Sequence, residues 1–397
     1  MTTTDQQTKQ EDQTQQKRHG EPSTPTAGTT DPAAFFPHLI PYHSRPKSLP
    51  LGALLDMQIP IREHLVMPWL RQKESAMIYA APGVGKSLFA VSLALAVAGG
   101  GNALGIWDAP RAQKVLYIDG EMPLDDIQAR VKMLLPSAGG DIEAIRKNLH
   151  FQARQHQPYG SIFTDLSTES GRETLLYQTK KAGVELLILD NLSTLATVED
   201  ENAASQFNDV VKFLLRMKQE GIACVLVHHS NKTGASYRGS SKLATTFEVI
   251  VRLEEVNLKS TDQTDTTRFR LSWDKFRGKK EEGAGVPLDF ALEQVLFDSP
   301  EESLKVGDLR WVCGRAEDTR LEELVELIRT GEFKNQKELA SAFGVSTGAM
   351  TTWKAKTITL GYITAEEWAE YLPGTTGRKS GGEGNIKCDE SVDSADY

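Results

Sequence analysis

The chain has 397 residues, of which 39% are hydrophobic and 25% charged, so it is long enough for one large domain and a smaller second one. Its 45 Lys and Arg against 54 Asp and Glu give a net charge of −9, which excludes an overall basic surface and makes any nucleic-acid contact local. Its three cysteines form no C-x-x-C pair and no zinc spacing, which excludes a disulfide-stapled scaffold. The longest apolar stretch, residues 88–98, is far shorter than the roughly 18–20 residues of a membrane span, so we expect a cytoplasmic protein without membrane contact.

Both ends of the sequence are predicted to be disordered. Residues 1–34 are mostly polar and residues 373–397 are rich in Gly, Ser and Asp, and neither composition can form a core. Prolines interrupt residues 32–68, which predicts extended chain there rather than regular helices. The rest divides into a large domain over residues 35–300 and a small one over residues 315–372.

The large domain alternates short apolar runs with amphipathic stretches. The apolar runs predict buried parallel strands at residues 76–80, 115–119, 185–190 and 222–228. The amphipathic stretches predict helices at residues 86–98, 124–135, 173–182 and 202–220. This βαβα order predicts an α/β fold, a doubly wound and mainly parallel sheet. Three β-rich pieces between residues 247 and 293 are expected to extend the sheet at one edge.

A glycine-rich loop joins the first predicted strand to the first predicted helix. In this setting the backbone N–H groups and the helix N-terminus bind phosphate oxygens, Lys86 adds a positive charge, and the Ser87 hydroxyl is a ligand for Mg²⁺. Ala80 stands where the phosphate-loop motif has its first glycine. The loop therefore predicts that Ser87 binds Mg²⁺ and that ATP is bound by Ala81, Pro82, Gly83, Val84, Gly85, Lys86, Ser87 and Leu88.

Two carboxylates follow apolar strands of the same predicted sheet. Asp190 closes one strand, where it suits the outer shell of Mg²⁺. Asn191 follows it, so the glutamate that activates water must come from elsewhere, and Glu121 lies just past the end of another strand. Carboxylates at strand ends also serve as helix caps, which is the role we expect for Asp119.

His228 ends a further predicted strand and is followed by a second histidine. A donor at this edge of the sheet could sense the γ-phosphate and pass its state to the loop that follows. Simple hydrogen bonding is the alternative. Zinc binding by the pair lacks a third ligand at a recognisable spacing.

The segments AAPGVGKS, YIDGE, LLILDN, VHHSNK, YRGSSKL and WDKFRGK, in this order over residues 65–298, resemble the RecA-fold hexameric helicases, in particular the plasmid RepA-type replicative helicases and the related AAA_25 ATPases. The resemblance implies a RecA-like fold and a homo-oligomer, a hexamer, with ATP between two subunits. The neighbouring subunit would then supply a catalytic basic residue, either Arg238 or the pair Lys275 and Arg277. It also implies that residues 230–237, with Lys232, line a channel for single-stranded DNA.

The C-terminal part predicts a small helical domain. A helix over residues 336–343, a turn at Gly344 and Val345, and a second helix opening at Ser346 are typical of a helix-turn-helix or winged-helix-like domain. Residues 319–371 hold six basic and eight acidic residues, so both DNA and protein remain candidate partners.

The resemblance favours an ATP-hydrolysing DNA helicase or translocase for the replication of a plasmid or other mobile element. A replication-initiation or loading protein would be a further partner. Two alternatives stay open: a RecA-like recombination or repair ATPase that forms filaments on DNA, and a nucleotide-switched DNA-binding regulator that uses the C-terminal helices.

Overall fold

A computed structural model describes residues 48–160, 163–196, 207–231, 236–237, 241–256, 265–278, 285–296 and 304–372. The predicted leader and tail, Lys232 and Arg238 lie outside these ranges. The chain divides into two units, residues 1–61 and residues 62–397. The first contains helix α1 (Leu51–Asp56), which corrects the expectation of extended chain. Leu and Ala are strong helix formers. The proline that precedes them is tolerated at a helix start, because the N–H that it lacks would have no partner within the helix.

The second unit contains the strands and the remaining helices. Its strands, in chain order, are β1 (His64–Val66), β2 (Leu70–Arg71), β3 (Ser75–Ala80), β4 (Asn102–Ala103), β5 (Trp107–Asp108), β6 (Val115–Asp119), β7 (Leu149–Ala153), β8 (Leu186–Asp190), β9 (Ala223–His229), β10 (Val249–Glu255), β11 (Asp265–Phe276), β12 (Leu288–Gln294) and β13 (Leu309–Arg315). Its helices are α2 (Lys86–Gly99), α3 (Leu124–Leu134), α4 (Ile142–Asn148), α5 (Glu169–Ala182), α6 (Leu192–Leu195), α7 (Asn208–Gln219), α8 (Ser241–Thr245), α9 (Ala316–Arg329), α10 (Gln336–Ala342), α11 (Thr347–Thr359) and α12 (Ala365–Tyr371).

Nine of the described strands form one sheet, in the order β13-β12-β11-β10-β3-β9-β8-β6-β7. The strands from β10 to β7 are parallel to their neighbours, and β11, β12 and β13 add an antiparallel edge. This confirms the predicted α/β class, a doubly wound and mainly parallel sheet with an added β-rich edge. All parallel strands end at one edge of the sheet, which we call the carboxyl edge, and begin at the amino edge.

Two strands of the sheet, β7 and β13, were not predicted from the sequence. Both lie at the outer edges of the sheet, and their residues are mostly half-buried or exposed. An edge strand packs less apolar surface than a central one, so it leaves no continuous apolar run in the sequence.

Helix α2 lies against one face of the sheet and is buried almost all round. The side chains of β3 alternate between the two faces, so that Ile78 faces the α2 side and Met77 the opposite side, where α5 and α7 pack. Trp311 of β13 donates from its indole N–H to the Ser92 hydroxyl of α2 at 2.8 Å. The antiparallel edge thus holds the helix that begins at the glycine-rich loop.

The C-terminal helices α9 to α12 have a core of their own, which includes Leu324, Ile328, Leu339, Met350 and Trp368. Helices α10 and α11 occupy the predicted positions to within a residue and are capped at their starts by the side chains of Asn335 and Ser346. Among the residues that the structure describes, no helix has the length and apolar composition to span a bilayer.

Candidate active site

The glycine-rich loop occupies residues 81–85, between the last residue of β3 and the first of α2. Gly83 and Gly85 have φ values of 85° and 113°, in the left-handed region that other residues adopt only at a cost. A Cβ on Gly85 would lie 3.2 Å from the Thr267 hydroxyl oxygen and 3.3 Å from a ring carbon of Phe269. Since the N-terminus of α2 carries no side-chain cap, its N–H groups can bind an anion such as a phosphate.

The Lys86 ammonium is folded into the loop itself. Its Nζ donates to the carbonyl oxygens of Ala80 at 3.0 Å and of Ala81 at 2.7 Å, and the residue is 7% exposed. Burial lowers the pKa of Lys86, while the charges of Asp190 and Glu121 act to raise it. Both carboxylates are thus close enough to interact with the Lys86 ammonium, the charge that would contact the phosphates.

Asp190, at the carboxyl end of β8, is buried next to the start of α2. The Tyr117 hydroxyl donates to its Oδ2 at 2.6 Å. Burial raises the pKa of Asp190 to about 6, against hydrogen bonds from Tyr117 and Ser87 that lower it. The structure therefore brings together Ser87 and Asp190, the two predicted metal ligands. A hydroxyl and a carboxylate are oxygen ligands of the kind that Mg²⁺ prefers, so this pair fits the ion.

Glu121 follows β6 at the same edge, one strand away from Asp190. The backbone N–H groups of Glu121 and Met122 donate to Asp119 Oδ1 at 2.9 and 2.7 Å, so Asp119 caps this turn and not, as expected, a helix; α3 has Pro123 at its N-cap position and no side-chain cap. The Glu121 carboxylate is exposed and accepts a hydrogen bond of 2.7 Å from the Asn191 side-chain amide. It can therefore reach both solvent and the space in front of the glycine-rich loop.

Three further residues of this site were missed in the sequence. Tyr117 and Asn191 contact the two carboxylates, as described above. Arg130 of α3 lines a small pocket together with Ser87, Tyr117 and Asp119. Its charge lowers the pKa of Asp119, although burial raises that pKa overall. A lone arginine on an amphipathic helix has no local signature, so only its position beside Ser87 reveals it.

Lys275 and Arg277 lie at the amino edge of the sheet, because β11 runs antiparallel to β10. The Lys275 ammonium donates to the Ala244 carbonyl at 2.7 Å, and burial lowers its pKa. The Arg277 N–H donates to the Glu248 carbonyl, and the Glu248 N–H to that of Ser75, the first residue of β3. A six-residue strand is about 20 Å long, so these charges are remote from the glycine-rich loop of their own chain.

His228 lies beside the glycine-rich loop, paired with Tyr79 in the register of β9 and β3. It is buried. The next turn is held to β3 by a hydrogen bond of 2.9 Å from the Ser230 N–H to the Ala80 carbonyl. Ser230 forms a β-bridge with Tyr237, whose ring centroid lies 5.6 Å from that of Tyr79. The base of the loop over residues 230–237 is thus attached to the strand that leads into the phosphate loop.

Arg238, the alternative basic residue from a neighbouring subunit, and Lys232 of the same loop lie outside the described residues. Their roles remain predictions.

Comparison with known proteins gives one family match. The AAA_25 family model, an AAA domain, matches residues 40–235. Among solved structures, the chain is similar to the crystal structure of the flagellar accessory protein FlaH from Methanocaldococcus jannaschii, with 11% sequence identity and a TM-score of 0.37, covering 61% of this chain and 90% of that chain. No curated protein matches the sequence.

The doubly wound sheet, the phosphate loop between β3 and α2, and the match of residues 40–235 to an AAA domain together support a P-loop ATPase domain. The fold alone does not define what such a domain does beyond ATP binding; that depends on the residues around the nucleotide and at the edges of the sheet.

Proposed function

We propose that this protein is an ATP-hydrolysing homo-oligomer, a hexamer in the cytoplasm, that moves along single-stranded DNA as a helicase or translocase in the replication of a plasmid or other mobile element. One structural observation carries this proposal. Each chain has a phosphate loop with its carboxylates at one edge of the sheet, and the basic pair Lys275 and Arg277 at the opposite edge. If this pair takes part in hydrolysis, the site that it completes belongs to another subunit.

The first part of the proposal, ATP hydrolysis, follows from the residues at the carboxyl edge. The backbone of residues 81–85 and the Lys86 ammonium would bind the phosphates of ATP. Ser87 and Asp190 would hold Mg²⁺, which when bound supplies positive charge beside the phosphate oxygens. Glu121 would accept a proton from the attacking water, with its carboxylate oriented by Asn191.

The second part of the proposal, a basic residue supplied by a neighbouring subunit, concerns the negative charge that develops on the transferred phosphoryl group. A guanidinium from a neighbour stabilises this charge in the transition state far more than in the ground state. Arg277 is exposed at the amino edge, which suits contact with a second subunit, and Arg238 is the alternative that the resemblance implies.

The third part of the proposal, DNA binding, rests on the resemblance of the motifs and on one contact. The base of the loop over residues 230–237 is attached to β3 through Ser230 and Tyr237. We infer that nucleotide state is passed through His228 and this attachment to a loop that contacts single-stranded DNA, since both lie beside the phosphate loop.

The first experiment compares ATP turnover, with and without single-stranded DNA, and strand displacement on a forked duplex. We expect Lys86→Ala and Arg277→Ala each to abolish both activities. Arg146→Ala, which removes an arginine whose side chain is 73% exposed on α4, is the matched control and should leave both unchanged. ATP turnover without strand displacement or DNA stimulation would overturn the motor and keep the ATPase.

A complementation experiment tests the shared site. Glu121→Gln and Arg277→Ala chains are co-expressed, each inactive alone. If Arg277 acts on the neighbour, statistical mixing restores about a quarter of the wild-type sites, each with an intact Glu121 from one chain and an intact Arg277 from the other. No recovery in mixed oligomers would mean that Arg277 does not act in trans.

The C-terminal helices favour a second candidate, a nucleotide-switched DNA-binding regulator. Helices α10 and α11 are capped and joined by a short turn, and the N-terminal residues of α11 are exposed, as a recognition helix requires. Sequence-specific duplex binding that changes with ATP, at a turnover indifferent to single-stranded DNA, would favour this candidate. A complex whose mass grows with DNA length would instead indicate a recombination filament.

A further inference from the structure

Arg154 lies directly after β7, at the carboxyl edge next to the turn that carries Glu121. Its Nε donates to the Gly120 carbonyl at 3.2 Å, and its Nη2 donates to the Thr194 carbonyl at 2.5 Å. The guanidinium also lies 4.6 Å from the ring centroid of Phe163, which is buried. One side chain therefore binds two separate backbone segments of the site.

The first of these segments, at Gly120, leads into Glu121. The second, which contains Thr194, begins at Asn191, whose side-chain amide donates to the Glu121 carboxylate. Gly120 precedes Glu121, and its N–H donates to the Asp190 carbonyl at 2.8 Å. Thr194 lies in α6, where its N–H and its hydroxyl donate to the Asn191 carbonyl at 3.2 and 3.0 Å.

The two segments are also in direct contact. A Cβ on Gly120 would lie 2.2 Å from the Thr194 hydroxyl oxygen. The backbone at Gly120 is thus fixed by the contact with Thr194 on one side and by the Arg154 guanidinium on the other.

We propose that Arg154 is a positioning residue for Glu121. It holds the Gly120 carbonyl against α6, and so sets the place of the Glu121 carboxylate relative to the Asn191 amide and the phosphate loop. This inference rests on the proposed role of Glu121 as the base. Arginine is required because its planar fork donates to two carbonyls at once in a fixed geometry, whereas the ammonium of lysine is a single point on a flexible stem.

The experiment measures ATP turnover and the affinity for a non-hydrolysable ATP analogue in the full chain. We expect Arg154→Ala to lower kcat about 10- to 100-fold, because a displacement of about 1 Å at a reacting group has an effect of that size. Analogue affinity should stay within about twofold. Arg154→Lys should not restore kcat, whereas added guanidinium ion should raise the kcat of Arg154→Ala and leave the wild type unchanged.

Arg172→Ala is the matched control. Arg172 also donates to a backbone carbonyl, that of Leu166, at 2.8 Å and pairs with Asp209 at 3.6 Å, but it touches neither segment of the site. Its loss should leave kcat unchanged.

Glu121→Gln, measured in parallel, separates the two levels of the proposal. A kcat that survives in Glu121→Gln would overturn the proposed base, whatever Arg154 does. If Glu121→Gln is inactive while Arg154→Ala keeps full kcat, the positioning role is wrong. The positioning role would also be overturned if both Arg154→Ala and Arg154→Lys lost kcat and analogue affinity to the same extent. An equal loss of both quantities is the pattern of general misfolding.

Discussion

The side-chain amide of Asn191 donates a hydrogen bond of 2.7 Å to the Glu121 carboxylate, from the residue that follows Asp190. The carboxylate proposed as the base is therefore held by a side-chain amide, whereas the Asp190 carboxylate is held by two hydroxyls, those of Tyr117 and Ser87. Two carboxylates at neighbouring strand ends thus have different surroundings, since Glu121 is exposed and Asp190 is buried, as the two roles proposed for them require.

Replacement of Asn191 tests the hydrogen bond directly. Asn191→Leu keeps the approximate size and removes the donor, so we expect kcat to fall about tenfold with little change in analogue affinity, because the base loses orientation and not the phosphate contacts. Full kcat in this variant would show that Glu121 is positioned without Asn191.

Asn191→Asp gives a pH-dependent version of the same test. It places a second carboxylate in contact with Glu121, and a like charge raises the pKa of both groups. The base is active only when deprotonated, so the acid limb of the pH profile of kcat should move to higher pH than in the wild type. An unshifted acid limb would argue against Glu121 as the titrating base.

Lys86→Met should remove ATP binding without unfolding the protein. The methionine retains the apolar stem in a site that is 7% exposed, while the charge that meets the phosphates is lost. We expect at least a 100-fold loss of affinity by titration with a fluorescent ATP analogue, beside a circular dichroism spectrum like that of the wild type. Binding at wild-type affinity would place the nucleotide elsewhere.

The two glycines of the phosphate loop offer a paired test of stability. Gly83→Ala and Gly85→Ala both place a side chain at positive φ, which costs on the order of 1–3 kcal/mol. At Gly85 the new Cβ also meets Thr267 and Phe269, whereas at Gly83 it meets nothing within 4 Å. Calorimetry without nucleotide should therefore give a lower Tm for Gly85→Ala than for Gly83→Ala, and equal values would contradict the contact with β11.

The start of α12 predicts a pH-dependent stability of the C-terminal helices. Thr364 and Glu367 form a capping box, in which the Thr364 N–H and hydroxyl lower the pKa of Glu367. A carboxyl whose pKa is lower in the folded than in the unfolded state stabilises the fold above its unfolded pKa, about 4.3 for glutamate, and this contribution is lost as the pH falls.

Hydrogen exchange of the α12 amides provides the measurement for this capping box. At pH 7 the amides should be less protected in Glu367→Gln than in the wild type, and the difference should shrink as the pH falls below about 4. Glu370→Gln, later in the same helix, serves as the control and should exchange like the wild type. A difference that is constant with pH would mean that the Glu367 charge makes no contribution.

The sequence alone determined those features that depend on local order. The phosphate loop, the central strands, the capped helices α10 and α11, and the positions of Glu121 and Asp190 at strand ends follow from short patterns, because each pattern reflects the conformation of neighbouring residues. The edge strands β7 and β13 were missed for the same reason, since their partly exposed residues give no apolar run.

Only the tertiary structure decided which distant residues meet. The bonds from Asn191 to Glu121, from Tyr117 to Asp190, and from Arg154 to Gly120 and Thr194 join segments separated by up to 73 residues. They depend on strand order and register, which place β6 between β7 and β8. The antiparallel direction of β11 likewise places Arg277 at the amino edge. Contacts between strands are set by packing of the whole sheet, and no local pattern encodes that packing.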